Sequence, residues 1–220
     1  MLLITEQLED VEILTEGAGP EKSWFLEGVF LQGGIKNKNG RLYPIHILQK
    51  EVARYTEEYI NRNRAYGELG HPATPTINLD RVSHMIKSLH QEGNNFIGRA
   101  KIITANPMGN IVRNLLAEGA KLAVSSRGMG NLREVRGYSE VQDDFYLSTA
   151  ADIVADPSAP AAFVNGVMEN CEWINVGGSW MEASAAKARK SIDRAAGTAK
   201  GLTQEAQLAI FETFLRSVKN

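Results

Sequence analysis

The most informative stretch of this 220-residue chain is Leu122-Ala123-Val124-Ser125-Ser126-Arg127-Gly128. Its apolar residues favour a buried strand, and they are followed by two hydroxyls, a permanent cation and a glycine. A strand that ends in this way can hold a serine hydroxyl rigidly at a surface, and the glycine lets the next backbone approach a ligand. The pattern makes Ser125 and Ser126 candidate nucleophiles, although an ordinary strand-to-loop junction has the same residue types.

A histidine that could activate such a serine lies in Gly67-Glu68-Leu69-Gly70-His71-Pro72. The glycine before His71 and the proline after it restrict the backbone and leave little bulk near the imidazole. Histidine exchanges protons near neutral pH, which a general base requires, so His71 is the candidate base, with a purely structural turn histidine as the alternative. The other three histidines fall on a predicted helix, strand or turn and are expected to be structural or solvated: His46, His84 and His90.

A third residue should hold the imidazole in its reactive tautomer. Asp152 is the candidate, because it lies in the apolar segment 150–154, where a carboxylate needs a partner. An outward-facing strand residue is the alternative explanation of this aspartate. Glu68 and Asp144 are weaker candidates, since Glu68 is very close to His71 in the sequence and Asp144 falls in a predicted loop.

The composition is that of a soluble globular protein, with 43% hydrophobic and 23% charged residues and a net charge of -2. Without a basic field, we expect no nucleic-acid partner. One cysteine, Cys171, excludes an intrachain disulfide and a cysteine-rich zinc site, and the sequence has no His-x-His or His-Glu-x-x-His motif. We therefore expect no metal and no cofactor.

The sequence also bears on location. No apolar run approaches the length of a membrane span, and the N-terminus becomes acidic at once, unlike a signal peptide. We therefore expect a cytoplasmic protein with no membrane partner.

Patterning divides the chain into three predicted parts. Residues 1–21 are acidic and contain Gly17-Ala18-Gly19-Pro20, which predicts a flexible arm. Residues 22–178 are the predicted body, in which helical and alternating patterns indicate an α+β fold. Residues 179–220 are rich in Ala, Lys and Arg and then amphipathic, which predicts a helical tail. In the body, Pro44 suits the first turn of a predicted helix over 44–61, and Asn110 is the predicted cap of a second helix.

Several segments together resemble the prohead, or procapsid maturation, serine proteases of T-even-type tailed phages. In chain order they are Asn39-Gly40-Arg41-Leu42-Tyr43-Pro44, Gly67-Glu68-Leu69-Gly70-His71-Pro72, Gly98-Arg99-Ala100, Val124-Ser125-Ser126-Arg127-Gly128 and Asp156-Pro157-Ser158-Ala159-Pro160. The resemblance covers about residues 24–165 and leaves the tail uncovered.

The resemblance implies a fold similar to herpesvirus assemblin, a mostly antiparallel β-barrel surrounded by helices. It implies His71 as the base and Ser125 as the nucleophile, with Ser126 as the alternative because the two hydroxyls are adjacent. Asp152 matches an aspartate of the phage branch. Oxyanion stabilisation is expected from the backbone near Ser126 and Gly128, with support from Arg127.

The resemblance further implies a serine endopeptidase that cleaves scaffold core and major capsid proteins. Such enzymes cut after a glutamate that follows Leu or Ile by two residues. We expect the protein to act in the host cytoplasm, inside the assembling prohead, and to form a homo-oligomer. The basic residues available to bind the substrate glutamate are Lys36, Lys38, Arg41, Arg62, Arg64 and Arg81. Two alternatives remain open: a catalytically inactive capsid- or scaffold-associated protein of the same fold, and a hydrolase of another ester or amide.

The chain contains cleavage sequences of its own. Leu14-Thr15-Glu16 lies in the predicted arm, where a protease has access, so self-cleavage is expected between Glu16 and Gly17. Ile4-Thr5-Glu6 is a second such sequence. Leu116-Ala117-Glu118 would cut the body, and Trp180-Met181-Glu182 is a looser match.

Overall fold

The computed structural model describes residues 2–8, 11–16, 23–155, 173–176, 179–182 and 192. The chain divides into a larger unit, Leu2–Glu169, and a smaller one formed by Asn170–Asn220 with Met1. In the described part of the larger unit, the elements are β1 (Leu2–Leu8), β2 (Val11–Glu16), β3 (Ser23–Gln32), β4 (Arg41–Leu42), α1 (Ile45–Tyr55), β5 (Tyr66–Glu68), β6 (Val82–Glu92), β7 (Asn95–Ile102), α2 (Pro107–Ala117), β8 (Ala123–Gly130), β9 (Leu132–Val135), β10 (Tyr138–Val141) and β11 (Tyr146–Val154). In the smaller unit, β12 (Trp173–Val176) and β13 (Ser179–Glu182) form an antiparallel hairpin.

Two sheets form most of the larger unit. One has five antiparallel strands in the order β2-β3-β7-β6-β5, and the other has the order β1-β8-β11, with both neighbours antiparallel to β8. A parallel bridge between Leu69 and Ile153 joins the end of β5 to β11. A small third sheet has the order β4-β10-β9. The described strands thus make a mostly-sheet fold with few helices, in which no closed barrel is shown.

The helices cover these sheets. The helix predicted over 44–61 is confirmed as α1, which continues as one π-helical turn, Thr56–Ile60. The second helix begins one turn earlier than predicted. Its cap is Asn106, whose side chain accepts the Gly109 N–H at 2.7 Å, and Pro107 takes the first helical position, which suits a residue without an N–H. In the part of the chain that the structure describes, no helix is long and apolar enough to cross a membrane.

Two apolar clusters form the core. One joins α1 to both large sheets, and the other lies between α2, β3, β7 and β11. Side chains from both clusters pack on β8 or its neighbours, and every residue from Ala123 to Gly130 is buried. The strand predicted to end at its serines therefore continues past them. Gly128 and Gly130 allow this packing, since a Cβ at Gly128 would overlap the ring of Phe145.

Where the structure describes them, both predicted terminal segments contain strands. In place of a flexible arm over 1–21, β1 pairs with β8 and β2 pairs with β3. The apolar residues of 2–4 and 11–14, which favour strands, explain this pairing better than the acidic residues between them. The predicted helical tail, 179–220, begins with strand β13. Apart from that strand and Ile192, the tail lies outside the described residues.

Candidate active site

Asp152 lies directly opposite Ser125 in the pairing of β11 with β8. Residues opposite each other in an antiparallel pair project to the same face of the sheet. The pairing depends on a β-bulge: from the Thr149–Arg127 pair to the Asp152–Ser125 pair, β11 advances by three residues and β8 by two. The extra residue turns the Asp152 carboxylate toward Ser125, a use of bulges that is frequent beside active sites.

The two adjacent serines differ in the face they occupy. Successive side chains of a strand alternate, so Ser126 lies on the opposite face of β8 from Ser125 and Asp152. The Ser125 side chain is fully buried, and its Oγ has no hydrogen-bond partner among the residues that the structure describes. The alternation therefore favours Ser125 over Ser126 as the residue grouped with Asp152.

His71 lies in the loop after β5, next to Gly70, which has a φ of +81°. Its ring is almost buried, and Nδ1 lies 3.1 Å from Oδ2 of Asp152. Since the carboxylate only accepts, Nδ1 carries the proton, and Nε2 has its lone pair free to act as a base. Nε2 is also buried and without a hydrogen-bond partner in the described ranges.

Four donors surround the fully buried carboxylate of Asp152. Oδ1 accepts the Glu68 N–H at 3.0 Å and Nη2 of Arg127 at 3.2 Å, while Oδ2 accepts Nε of Arg127 at 2.5 Å and Nδ1 of His71. Burial alone would raise the pKa of Asp152. The hydrogen bond from His71 and the charge of Arg127 outweigh burial, so the pKa of this carboxyl lies below its ordinary value. Asp152 is therefore ionised at neutral pH.

The Arg127 guanidinium, expected to assist an oxyanion, faces carboxylates. Besides Asp152 it binds Oε1 of Glu68 at 3.2 Å and donates Nη1–H to the Thr74 carbonyl in the His71 loop. Its side chain is fully buried. The structure therefore gives Arg127 a supporting contact with Asp152 rather than a direct oxyanion contact.

The backbone expected to form the oxyanion site lies within the central strand of its sheet. Both β1 and β11 pair with β8 there, so its amides face neighbouring strands while β1 is in place. The glycine at 128 is explained by the Phe145 ring that packs on it.

Glu68, considered above only as a rival to Asp152, is a fully buried part of the same cluster. Oε1 accepts the Asn78 N–H at 2.7 Å, and Oε2 lies 3.6 Å from Nε of Arg81. The sequence feature that indicates Glu68 is its position between a glycine and a leucine, three residues before the candidate base His71. Asp144, by contrast, is exposed and binds Asn131, away from this cluster.

The remaining histidines behave as predicted. His46 and His90 are exposed beside carboxylates. His84 is fully buried. Its Nε2–H donates to the Ala151 carbonyl in the bulged segment of β11 at 3.0 Å, and the Ser83 hydroxyl lies 2.9 Å from Nδ1. Burial lowers the pKa of His84 to about 4, so it is neutral and structural. Among the described residues, no cluster of three or more His, Cys, Asp or Glu side chains could hold a metal ion.

One of the candidate cleavage sequences, Ile4-Thr5-Glu6, lies in the strand that pairs with β8. In the antiparallel pairing of β1 with β8, Glu6 is opposite Ser126 and Gln7 is opposite Ser125. The other expected cleavage site, after Glu16, is not on this strand. Glu16 pairs with Ser23 at the end of β2, and Gly17 lies outside the described residues. Glu118 caps α2, and Glu182 ends β13.

Comparison with known proteins identifies consistent similarities. The model of a family described as prohead core protein serine protease matches residues 8–172. The prohead core protein protease of Enterobacteria phage T4 is 36% identical over 149 residues, covering 66% of this chain and 70% of that protein. The solved structure of the bacteriophage T4 capsid assembly protease, gp21, matches with a TM-score of 0.65 and 31% identity, over 70% of this chain and 97% of that chain.

Proposed function

Because this chain belongs to the family of prohead core protein serine proteases, we propose that it cleaves scaffold and capsid proteins with Ser125 as nucleophile and His71 as base. The observation that carries this assignment is the His71–Asp152 hydrogen bond on the face of the sheet to which Ser125 projects. Asp152 is the third catalytic residue. Ser126 and Gly128 are next to the nucleophile, and Arg127 supports Asp152.

The mechanism follows from the protonation states. Nε2 of His71 takes the proton of the Ser125 hydroxyl while Oγ attacks the carbonyl carbon of the scissile peptide. The imidazolium is stabilised by the ionised Asp152 and then gives its proton to the leaving amine, so that the C–N bond breaks and an acyl-enzyme remains. A water molecule, deprotonated by the same nitrogen, releases the acyl group and restores the serine.

We further propose that the conformation described is a precursor. The Ser125 hydroxyl is fully buried and has no hydrogen bond to His71, and β1 occupies the edge of β8 next to it. A substrate needs that edge, because an extended peptide is commonly bound as an added strand. Removal of β1 would free the edge of β8 and with it backbone amides for the oxyanion.

The cleavage specificity of this family branch, after glutamate preceded two residues earlier by Leu or Ile, is proposed for this chain as well. Ile4-Thr5-Glu6 in β1 has this form and runs antiparallel to β8 opposite the serines, which favours self-cleavage after Glu6. The bond between Glu16 and Gly17 is the second proposed site. Of the six basic residues considered for the substrate glutamate, Arg81 is one that contacts the loop of His71, since its Nη2–H donates to the Leu69 carbonyl at 2.9 Å.

The proposed partners follow from the name of the phage T4 relative, a prohead core protein protease. We propose scaffold core and major capsid proteins as substrates, action inside the assembling prohead in the host cytoplasm, and a homo-oligomeric enzyme. An assemblin-like barrel is also proposed. The Leu69–Ile153 bridge, which makes the two large sheets continuous, supports it.

The test is the intact mass of the purified chain together with cleavage of a Leu-x-Glu peptide. We expect the wild type to lose residues 1–6 and to cut the peptide, and the Ser125→Ala variant to do neither. Ser126→Ala is the matched control and should retain both activities. Loss of activity in Ser126→Ala with retention in Ser125→Ala would overturn the assignment of the nucleophile.

A further inference from the structure

We infer that Glu68 is a positioning residue that holds the His71 loop and supplies the negative charge that balances the imidazolium formed in catalysis. The inference rests on the proposed function. It concerns a carboxylate that does not touch the imidazole and acts through Arg127 and through the backbone of the loop.

Glu68 closes the loop that carries His71. His71 lies in the segment that follows Glu68 and returns at Asn78. Oε1 of Glu68 accepts the Asn78 N–H at 2.7 Å, and Arg81, whose Nε lies 3.6 Å from Oε2, donates Nη2–H to the Leu69 carbonyl at 2.9 Å. One carboxylate therefore ties together the two ends of the loop that carries the base.

Glu68 is also linked to Asp152. Oε1 of Glu68 also accepts from Nη2 of Arg127 at 3.2 Å, and the same guanidinium binds both oxygens of Asp152 and the Thr74 carbonyl in the middle of the loop. The Glu68 backbone N–H donates to Oδ1 of Asp152. Glu68 thus fixes the orientation of a guanidinium that holds the Asp152 carboxylate and the His71 loop at once.

Glu68 also contributes to the net charge of the buried cluster around His71. Glu68, Arg127 and Asp152 are fully buried, so water screens their interactions weakly. With a neutral His71 these three groups sum to a net charge of -1, and with the imidazolium the cluster sums to zero. Without Glu68 the corresponding sums are zero and +1. Arg81 adds little to this balance, because its side chain is 46% exposed and solvated.

The experiment compares Glu68→Gln with Glu51→Gln in the full chain. Glu51 is a matched control: it is a buried carboxylate that binds a guanidinium, Arg54, and a backbone N–H, that of Leu147. We expect Glu68→Gln to lower kcat on a Leu-x-Glu peptide about 10- to 100-fold with little change in KM, the size typical of residues that orient others in a site. Glu51→Gln should stay within about threefold of the wild type.

A charge readout separates positioning from general stability. The midpoint of the acid limb in the pH profile of peptide cleavage should lie at lower pH in Glu68→Gln than in the wild type, since loss of a nearby negative charge disfavours the imidazolium. Glu68→Asp keeps the charge and should leave this midpoint in place even if the loop is less well held. If Glu68→Gln does not fold, Glu68→Asp tests the positioning role by itself: it should lower kcat while this midpoint stays in place, and an unchanged kcat would overturn that role.

The outcomes are distinct. A wild type that does not cut the peptide contradicts the proposed function, whatever the variants do. A wild type that cuts, with Glu68→Gln equal to it in kcat and in the midpoint of the pH profile, overturns the role of Glu68. A midpoint that moves in Glu68→Asp or in Glu51→Gln as far as in Glu68→Gln also overturns it, because loss of the Glu68 charge would then not be the cause.

Discussion

Ser125 and Asp152 are direct cross-strand partners on β8 and β11, and the pairing exists because β11 contains one extra residue between Thr149 and Asp152. Had the ladder continued regularly from the Thr149–Arg127 pair, Ala151 would stand opposite the serine, and the aspartate would project to the other face. His84 contacts the bulge, because its Nε2–H donates to the Ala151 carbonyl at 3.0 Å. The placement of Ser125 and Asp152 on one face is thus a property of the sheet register.

Asp152→Asn should remove most of the activity and leave a folded protein. An amide cannot accept the Arg127 and His71 donors in the same way, so the imidazole loses its orientation and its counter-charge. By analogy with other serine proteases we expect the rate to fall on the order of 10³- to 10⁴-fold, measured as the first-order rate of self-cleavage. Asp144→Asn, at an exposed aspartate away from the cluster, is the control. Equal rates for the two variants would exclude the catalytic role of Asp152.

Glu6→Gln should stop removal of residues 1–6, because the sequence next to Ser125 would lose its glutamate. Glu16→Gln alters the other candidate sequence at the end of β2 and should leave the first cut unchanged. Intact mass spectrometry over a time course distinguishes the two. A chain that still begins at Gln7 when residue 6 is Gln would count against glutamate specificity at this site.

Arg127→Met should destabilise the fold by about 3–5 kcal/mol, because two fully buried carboxylates, Glu68 and Asp152, lose their shared counter-ion. Urea unfolding at pH 7 measures the free energy of unfolding. The triple variant Glu68→Gln, Arg127→Met, Asp152→Asn carries no charge in the cluster and should recover part of the loss. A single Arg127→Met variant as stable as the wild type would show that the guanidinium does not hold this cluster.

Gly128→Ala tests whether this glycine serves packing. The new Cβ would overlap the Phe145 ring, so we expect a loss of about 1–3 kcal/mol in the free energy of unfolding. Phe145→Leu should relieve the overlap with the ring. The loss in the free energy of unfolding of the double variant should then be smaller than the sum of the two single losses. Gly130→Ala, where the nearest atoms are 3.3 Å from the added Cβ, is the milder control. Strict additivity would argue against a packing role.

The candidate residues of the site could be selected from the sequence because they are residue types with distinctive sequence neighbours. His71 between glycine and proline, and Asp152 in an apolar run, are visible in the sequence. The choice of Ser125 over Ser126 came there from family resemblance. In the structure, the alternation of side chains along β8 places Ser125, and not Ser126, on the face that carries Asp152, which supports the proposed choice.

The contacts around these residues were not predictable, because they are set by long-range pairing. The pairing of β1 with β8 joins segments more than a hundred residues apart, and the acidic, glycine-containing sequence nearby suggested an arm. The cluster of Glu68 and Arg127 depends likewise on the bulge in β11. A single sequence gives no signal for an extra residue in a ladder, so the contacts of Arg127 with the two buried carboxylates could not be predicted.

His84 should make the stability of the fold depend on pH between about 6.5 and 4. Burial lowers its pKa from 6.5 to about 4 in the folded chain, so in this range the unfolded state binds the extra proton. Stability is therefore greatest above pH 6.5 and falls as the pH drops toward 4, by about 3 kcal/mol in total. Asp152, whose folded pKa is lowered, adds a further loss only below about pH 3.8.

Urea unfolding at several pH values measures how the free energy of unfolding depends on pH. His84→Gln should flatten it between pH 6.5 and 4, whatever its effect at pH 7, and His90→Gln, at an exposed histidine, should not. A slope in this range that survives His84→Gln would assign the pH dependence to other groups.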